Sequence, residues 1–260
     1  MESRNLSKFT AANKLTWEAS AHLHGEGKDW EALVADAAKP NFSTLDDCIS
    51  QTLKKLNISG RSAVQIGCNN GRELLSLASF GALPMLGIDQ SPAFLAQGAH
   101  LSQLCGQSPR FLEANIYDLP SDVGRYDLVF ITIGVLGWMP DLSRFFEVVA
   151  GLMNSDAKLV IYETHPFLEM FEPESAKPFE PHYTDIPQVA CRLTSRSPDF
   201  ARWASVFRPE RCLSSRKRPK SGGSSLEPAA FWPGRAAFPR GRRTCPAAFV
   251  QLGHGSWSCA

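Results

Sequence analysis

The chain has 260 residues, enough for one domain with a sizeable core or for one domain with an appendage. Its net charge of +1 conceals two unlike parts: residues 1–186 hold 14 Lys and Arg against 23 Asp and Glu, whereas residues 187–260 hold 13 against 3. Seven cysteines with no C-x-x-C pair supply neither a disulfide framework nor a zinc site, so reduced thiols in a cytoplasmic setting are expected.

From the amino end, Met1-Glu2-Ser3-Arg4 has no apolar run behind its basic residues, and no secretory leader is expected. Residues 10–38 read as helical and carry Trp17 and Trp30. His22 and His24 point about 200° apart on such a helix, so they read as solvated and no metal site is expected. After Pro40, Ser43 or Thr44 is expected to cap a helix whose apolar stripe is Leu45, Ile49, Leu53 and Leu56. Strands are expected at Ala63 to Ile66, Met85 to Ile88, Phe111 to Ala114, Leu128 to Thr132 and Leu159 to Tyr162. Helices are expected from Gly71, from Ser91-Pro92 with a cap and a first-turn proline, and over Leu142 to Met153. Leu128 to Met139 is the most apolar run, and its 12 residues fall short of the roughly 18 that a membrane helix needs, so no membrane association is expected. Repeated strand–helix units predict an α/β fold, Rossmann-like, with a doubly wound and mainly parallel sheet.

Ser62 to Asp89 is the most informative stretch. It reads as strand, Gly-containing turn, helix and second strand ending in an acid, the form of a nucleotide-binding βαβ unit. Gly67 and Gly71 let the backbone turn sharply before a helix N-terminus, and Asp89, 22 residues after Gly67, is placed for ribose hydroxyls. An adenosine-bearing cofactor follows. A dinucleotide fingerprint needs three glycines as G-x-G-x-x-G, and Gly67-Cys68-Asn69-Asn70-Gly71-Arg72 lacks the second and third in register.

The run instead resembles motif I of class I S-adenosylmethionine-dependent methyltransferases, with Gly67 and Gly71 at its first and third glycines. Gln65 stands where that family has an acid, and Asn69 replaces the middle glycine. Asp89-Gln90 matches the ribose-binding position, Asn115-Ile116 matches the segment bordering the adenine, and the strand ending at Thr132 matches the one whose end faces the reacting methyl. The resemblance covers roughly residues 10 to 186. It implies S-adenosyl-L-methionine as cofactor, with Gln65, Gly67, Asn69, Gly71, Asp89, Gln90, Asn115, Ile116 and Thr132 as its contacts. Asn13, Trp17 and the Ala-rich turn after it resemble the amino-terminal cap of small-molecule members, a segment that closes over cofactor and substrate.

Methyl transfer from a sulfonium needs mainly alignment, and a base only if the acceptor carries a proton. At the ends of strands four and five the candidates are His165 as the base, Glu163 beside it, and Trp138 as a substrate wall. The Pro-Pro-aromatic signature of nucleic-acid amino methylation and the Pro-Cys nucleophile of RNA cytosine methylation are both absent after strand four, where Thr132-Ile133-Gly134 stands. The expected function is therefore methyl transfer to N or O of a small molecule, with nucleic acid an unfavoured partner. A degenerate cofactor-binding protein and a nucleic-acid methyltransferase with a basic arm are the alternatives.

Residues 1–186 are expected to form the cofactor-binding domain and its helical cap. Residues 187–260 carry eight prolines, 11 arginines against two lysines and four of the cysteines. They are expected to be a disordered basic tail, either an arm for phosphates or an out-of-frame read of a GC-rich coding sequence. The C-terminal antiparallel hairpin of the family is expected to be missing, leaving the fifth strand as an exposed edge and the activity impaired.

Overall fold

The computed structural model describes residues 3–163, residues 176, 177 and 180, and two C-terminal strands at 247–252 and 256–259. The polypeptide opens with helices α1 (Ser3–His24) and α2 (Gly27–Ala37), so the helical stretch expected over 10–38 is broken at 25–26, where Gly27 takes a left-handed φ of 76°. α3 (Asp47–Leu56) follows. Its cap is Asp46, whose carboxylate accepts from the amides of Cys48 (2.9 Å) and Ile49 (3.2 Å), and not Ser43 or Thr44 as expected. Thr44 is occupied elsewhere, its amide donating to the Ser76 hydroxyl at 2.9 Å.

The alternating units come next: β1 (Ser62–Ile66), α4 (Arg72–Ser76), β2 (Leu83–Asp89), α5 (Pro92–Leu104), β3 (Arg110–Glu113), β4 (Tyr126–Ile131), α6 (Leu142–Gly151) and β5 (Met153–Glu163). Capping is as the residue types dictate. Ser91 accepts from the Phe94 amide at 3.2 Å ahead of Pro92, and Asp141 accepts from the Arg144 amide at 3.0 Å. β1 to β5 are parallel, in the order β3-β2-β1-β4-β5. The central strands read as continuous apolar runs because helices cover both faces: Val64, Leu128, Val129, Phe130 and Val160 have no exposed surface. One core cluster joins Ile49 and Leu53 of α3 to Leu74, Phe130 and Val160, and a second joins Ala37, Phe42, Leu75 and Leu101.

Register at the amino ends of the strands is held by Asp127. One of its oxygens accepts from the Ser62 amide (3.0 Å) and hydroxyl (2.6 Å), the other from the Asn154 side chain (2.7 Å). These bonds hold its carboxyl below the usual range, the Ser62 hydroxyl contributing most.

The edge of the sheet departs from expectation. β6 (Ala247–Leu252) pairs antiparallel with β5, from Lys158 opposite Leu252 to Glu163 opposite Ala247, and β7 (Ser256–Cys259) pairs antiparallel with β6. The hairpin expected to be missing is thus present in the backbone pairing, and β5 is no open edge. Ala247-Ala248-Phe249-Val250-Gln251-Leu252 is a six-residue stretch with no proline and no charge, with the β formers Phe249 and Val250 at its centre. A composition averaged over residues 187–260 hides so short a strand, and an edge with unpaired N–H and C=O groups is a template for it. The expected domain boundary at 186 and the rest of the expected disordered tail lie outside the described residues.

Phe111 of β3 sits in a niche made by three glycines. A Cβ on Gly71, Gly87 or Gly98 would come within 2.7, 3.0 or 2.9 Å of its ring, and one on Gly87 would also lie 2.8 Å from the Cys68 sulfur. Gly87→Ala should therefore overpack this layer and destabilise the domain by about 1–3 kcal/mol, seen as a lower midpoint in urea unfolding at unchanged slope.

Candidate functional site

β1 ends at Ile66 and the next five residues reverse the chain into α4. Gly67, Asn69 and Gly71 all take left-handed angles, with φ of 63°, 50° and 70°. Gly67 is also the point of closest approach: a Cβ there would lie 2.6 Å from a methyl of Val135 in the loop after β4. Asn69 sustains its angle without glycine because an asparagine side chain satisfies its own neighbourhood, here by accepting from the Asn70 amide at 2.7 Å.

Asp89, at the end of β2, ties this turn down. One carboxylate oxygen accepts from the Asn69 amide at 2.8 Å and the other from the Ser91 amide at 3.0 Å. The amide of Gln90 is a third backbone donor to this carboxylate. Burial raises the Asp89 carboxyl above the ordinary aspartate value, and its backbone hydrogen bonds only partly offset this. Gln90 follows it, partly buried.

Gln65 lies fully buried in β1, two residues ahead of the turn. Its amide nitrogen donates to the Thr132 hydroxyl at 3.0 Å, while its side-chain oxygen has no partner. Such an atom costs about 1–3 kcal/mol unless something fills the position. Beyond β3, Asn115 is engaged on both sides: its nitrogen donates to the Thr10 hydroxyl at 3.1 Å and its oxygen accepts from the Tyr117 amide at 3.2 Å. Ile116 is buried beside it. The nine residues assigned to a cofactor by resemblance thus stand at the carboxyl ends of β1, β2, β3 and β4, where open α/β sheets hold ligands.

α1 lies across these same strand ends. Thr10 bonds Asn115 after β3; Asn13 donates to the Trp138 carbonyl at 2.8 Å in the loop after β4; Lys14 pairs with Glu113 at 2.6 Å. Glu18 accepts from the Ser91 hydroxyl at 2.5 Å and from the Ala93 amide at 3.4 Å, capping α5, and the Ala21 carbonyl accepts from Gln97 at 2.8 Å. Trp17 is wedged edge-on between Phe94 (6.1 Å between centroids) and Trp138 (5.4 Å). Sequence reasoning picked out Asn13, Trp17 and the Ala-rich turn that holds Ala21, but missed Thr10, Lys14 and Glu18. Their spacing of i, i+3, i+4, i+7, i+8 and i+11 was the available signal, obscured because this stripe is polar and aromatic rather than apolar.

Glu163, expected next to a base, has both oxygens engaged by backbone. They accept from the amides of Gly134 at 2.6 Å and Leu136 at 3.3 Å. Trp138 is 37% exposed, next to α1. His165 lies outside the described residues. Among the described residues no His, Cys, Asp and Glu cluster could hold a metal ion, and no helix is long and apolar enough to cross a membrane.

Residues 64–159 match the family model described as a methyltransferase domain. A tRNA U34 carboxymethyltransferase of Aeromonas salmonicida is 31% identical over 106 residues, 40% of this chain and 32% of the relative. The enzyme of the same name from Cellvibrio japonicus is 30% identical over 117 residues, 44% of this chain and 31% of the relative. The matched segment spans about a third of the length of these relatives. Among solved structures, an S-adenosylmethionine-dependent methyltransferase of Mesorhizobium loti aligns at 23% identity over 55% of this chain and 56% of that one, with a TM-score of 0.38.

If Asp89 receives ribose hydroxyls, Asp89→Ala should weaken adenosine-ligand binding at least tenfold, since charge-assisted bonds are worth about 1.5–3 kcal/mol each. The carboxylate is the accepting form and its pKa is raised. Affinity should therefore be full above that pKa and fall with acidification earlier than an exposed aspartate would dictate, as read by calorimetry across a pH series.

Proposed function

We propose that this chain, whose residues 64–159 match a methyltransferase-domain model, is a class I S-adenosylmethionine-dependent methyltransferase that moves a methyl group onto a nitrogen or oxygen of a small acceptor admitted between α1 and the loop after β4. The observation that carries this reading is the placement of α1. It is hydrogen-bonded to the residues following β2, β3 and β4, so it roofs the strand ends.

The donor set matches the chemistry of the cofactor. The unpartnered oxygen of Gln65 can accept from the amino group of its methionine part, and the Asp89 carboxylate at the end of β2 can accept from ribose hydroxyls. When bound, the sulfonium supplies an already activated methyl. The protein's task is then to hold the acceptor atom in line behind it and to exclude water, and orientation alone is worth about 7–11 kcal/mol. Gln65 and Thr132 fix the floor of the site, Trp17 and Trp138 its wall, and His165 is the proposed proton acceptor where the nucleophile carries a proton.

A second reading, an RNA acceptor, is favoured by the name of the relatives at 30–31% identity. The basic runs at Arg216 and at 240–243 are compatible with phosphate contacts, whereas the excess of acid over residues 1–186 opposes a polyanion near the site. Incubation with methyl-labelled donor and either a low-molecular-mass metabolite fraction or bulk tRNA separates the two. Label in the small-molecule fraction is expected, and label in tRNA alone would overturn the small-acceptor reading.

Gln65 meets a positively charged group with a neutral amide in this scheme. Gln65→Glu should raise cofactor affinity by several-fold through the added ion pair, and should lower the stability of the ligand-free protein because a buried charge is then left alone. Titration calorimetry and thermal unfolding with and without ligand read both effects.

A further inference from the structure

We propose that Glu163 is a positioning residue, and that its carboxylate sets the loop after β4 at the height at which that loop both floors the donor site and closes against α1. The inference rests on the proposed function only for the ligand used as a probe.

The loop begins at Thr132 and passes through Gly134, at φ 96°, into a single 3₁₀ turn over Leu136–Trp138. The first amides of such a turn have no partner within it and need an outside acceptor. Glu163 supplies it from the end of the neighbouring strand, one oxygen at 2.6 Å from the Gly134 amide and the other at 3.3 Å from that of Leu136. An acceptor carrying a full charge is about twice as strong as a neutral one in this role. Both oxygens are committed to backbone donors, which holds the group in place.

Two consequences diverge from the clamped loop. Between the two clamped amides lies Val135, 8% exposed, whose methyl occupies the space that a Cβ on Gly67 would need. The position of Val135 therefore limits how the glycine turn can sit. At the far end of the same turn, the Trp138 carbonyl accepts from Asn13 and the Trp138 ring meets Trp17, so the loop is also the seat of α1. One carboxylate thus connects the donor site and the roof, without touching either ligand or α1 through these bonds.

The test compares Glu163→Ala and Glu163→Gln with the wild-type full-length chain, using S-adenosylhomocysteine binding by calorimetry and hydrogen exchange resolved at Gly134 and Leu136. A positioning role predicts that Glu163→Ala exposes both amides, weakens binding about tenfold and speeds exchange across residues 10–21, with Glu163→Gln intermediate because it keeps one acceptor oxygen. A double-mutant cycle with Asn13→Ala should be non-additive although residues 13 and 163 do not bond each other. Unchanged protection at Gly134 and Leu136 in Glu163→Ala would overturn the inference. So would a Glu163→Gln variant with wild-type affinity and protection but a strongly reduced turnover whose pH–rate profile has lost its acidic limb, the signature of a base. If the wild type fails to bind S-adenosylhomocysteine, the proposed function falls, while the exchange measurement still decides whether Glu163 holds the loop.

Discussion

The arrangement depends on the bond between the Asp89 carboxylate and the Asn69 amide. Three left-handed residues within five are costly to hold, and two of them are glycines that lose much freedom on folding. A charged acceptor from the adjacent strand offsets that cost and fixes the turn where β1 and β2 end together. Without it the helix after β1 has no defined entry angle, and the Phe111 niche between Gly71, Gly87 and Gly98 loses one wall. The same carboxylate is raised in pKa by its burial, so the group that organises the turn is also the one most easily disturbed by acid.

α1 and the loop after β4 form the second layer of the site, attached by polar contacts together with the buried Leu6, Ala21 and Val135 and the Trp17–Phe94 ring contact. Leu15 and Leu23 of α1 are exposed, while Thr10, Asn13, Trp17 and Glu18 face the strand ends. Exposed hydrogen bonds and ion pairs such as Lys14–Glu113 contribute little each, on the order of 1 kcal/mol or less.

Charge is divided along the chain in a way that bears on the acceptor. The segment that supplies the site is acidic, and the basic residues are concentrated beyond 186. Like charge over the first part weakens its attraction for any polyanion, and the opposite sign beyond 186 strengthens it. At the other side of the sheet, β6 and β7 cover the strand that also carries Glu163, so pairing at the edge and placement of the loop after β4 share one element.

The five parallel strands and the helices between them were legible in the sequence because strand and helix periods, glycine spacing and caps are local properties. Their ends moved by one to six residues, the fifth strand starting at Met153 and not Leu159, and the cap of α3 fell on Asp46 because Thr44 found a tertiary partner in Ser76. The β6–β7 hairpin was not legible. Six uncharged residues gain strand structure only from the row of unpaired groups that β5 presents, and no local average reveals that. Glu163 illustrates the same division at the site. The sequence by itself determined that a carboxylate stands at the end of the fifth strand, beside a glycine-bearing loop. Only the tertiary structure decided that this carboxylate faces the amides of Gly134 and Leu136, because hydrogen bonds between segments 27 to 29 residues apart depend on strand order and register, which no residue spacing encodes.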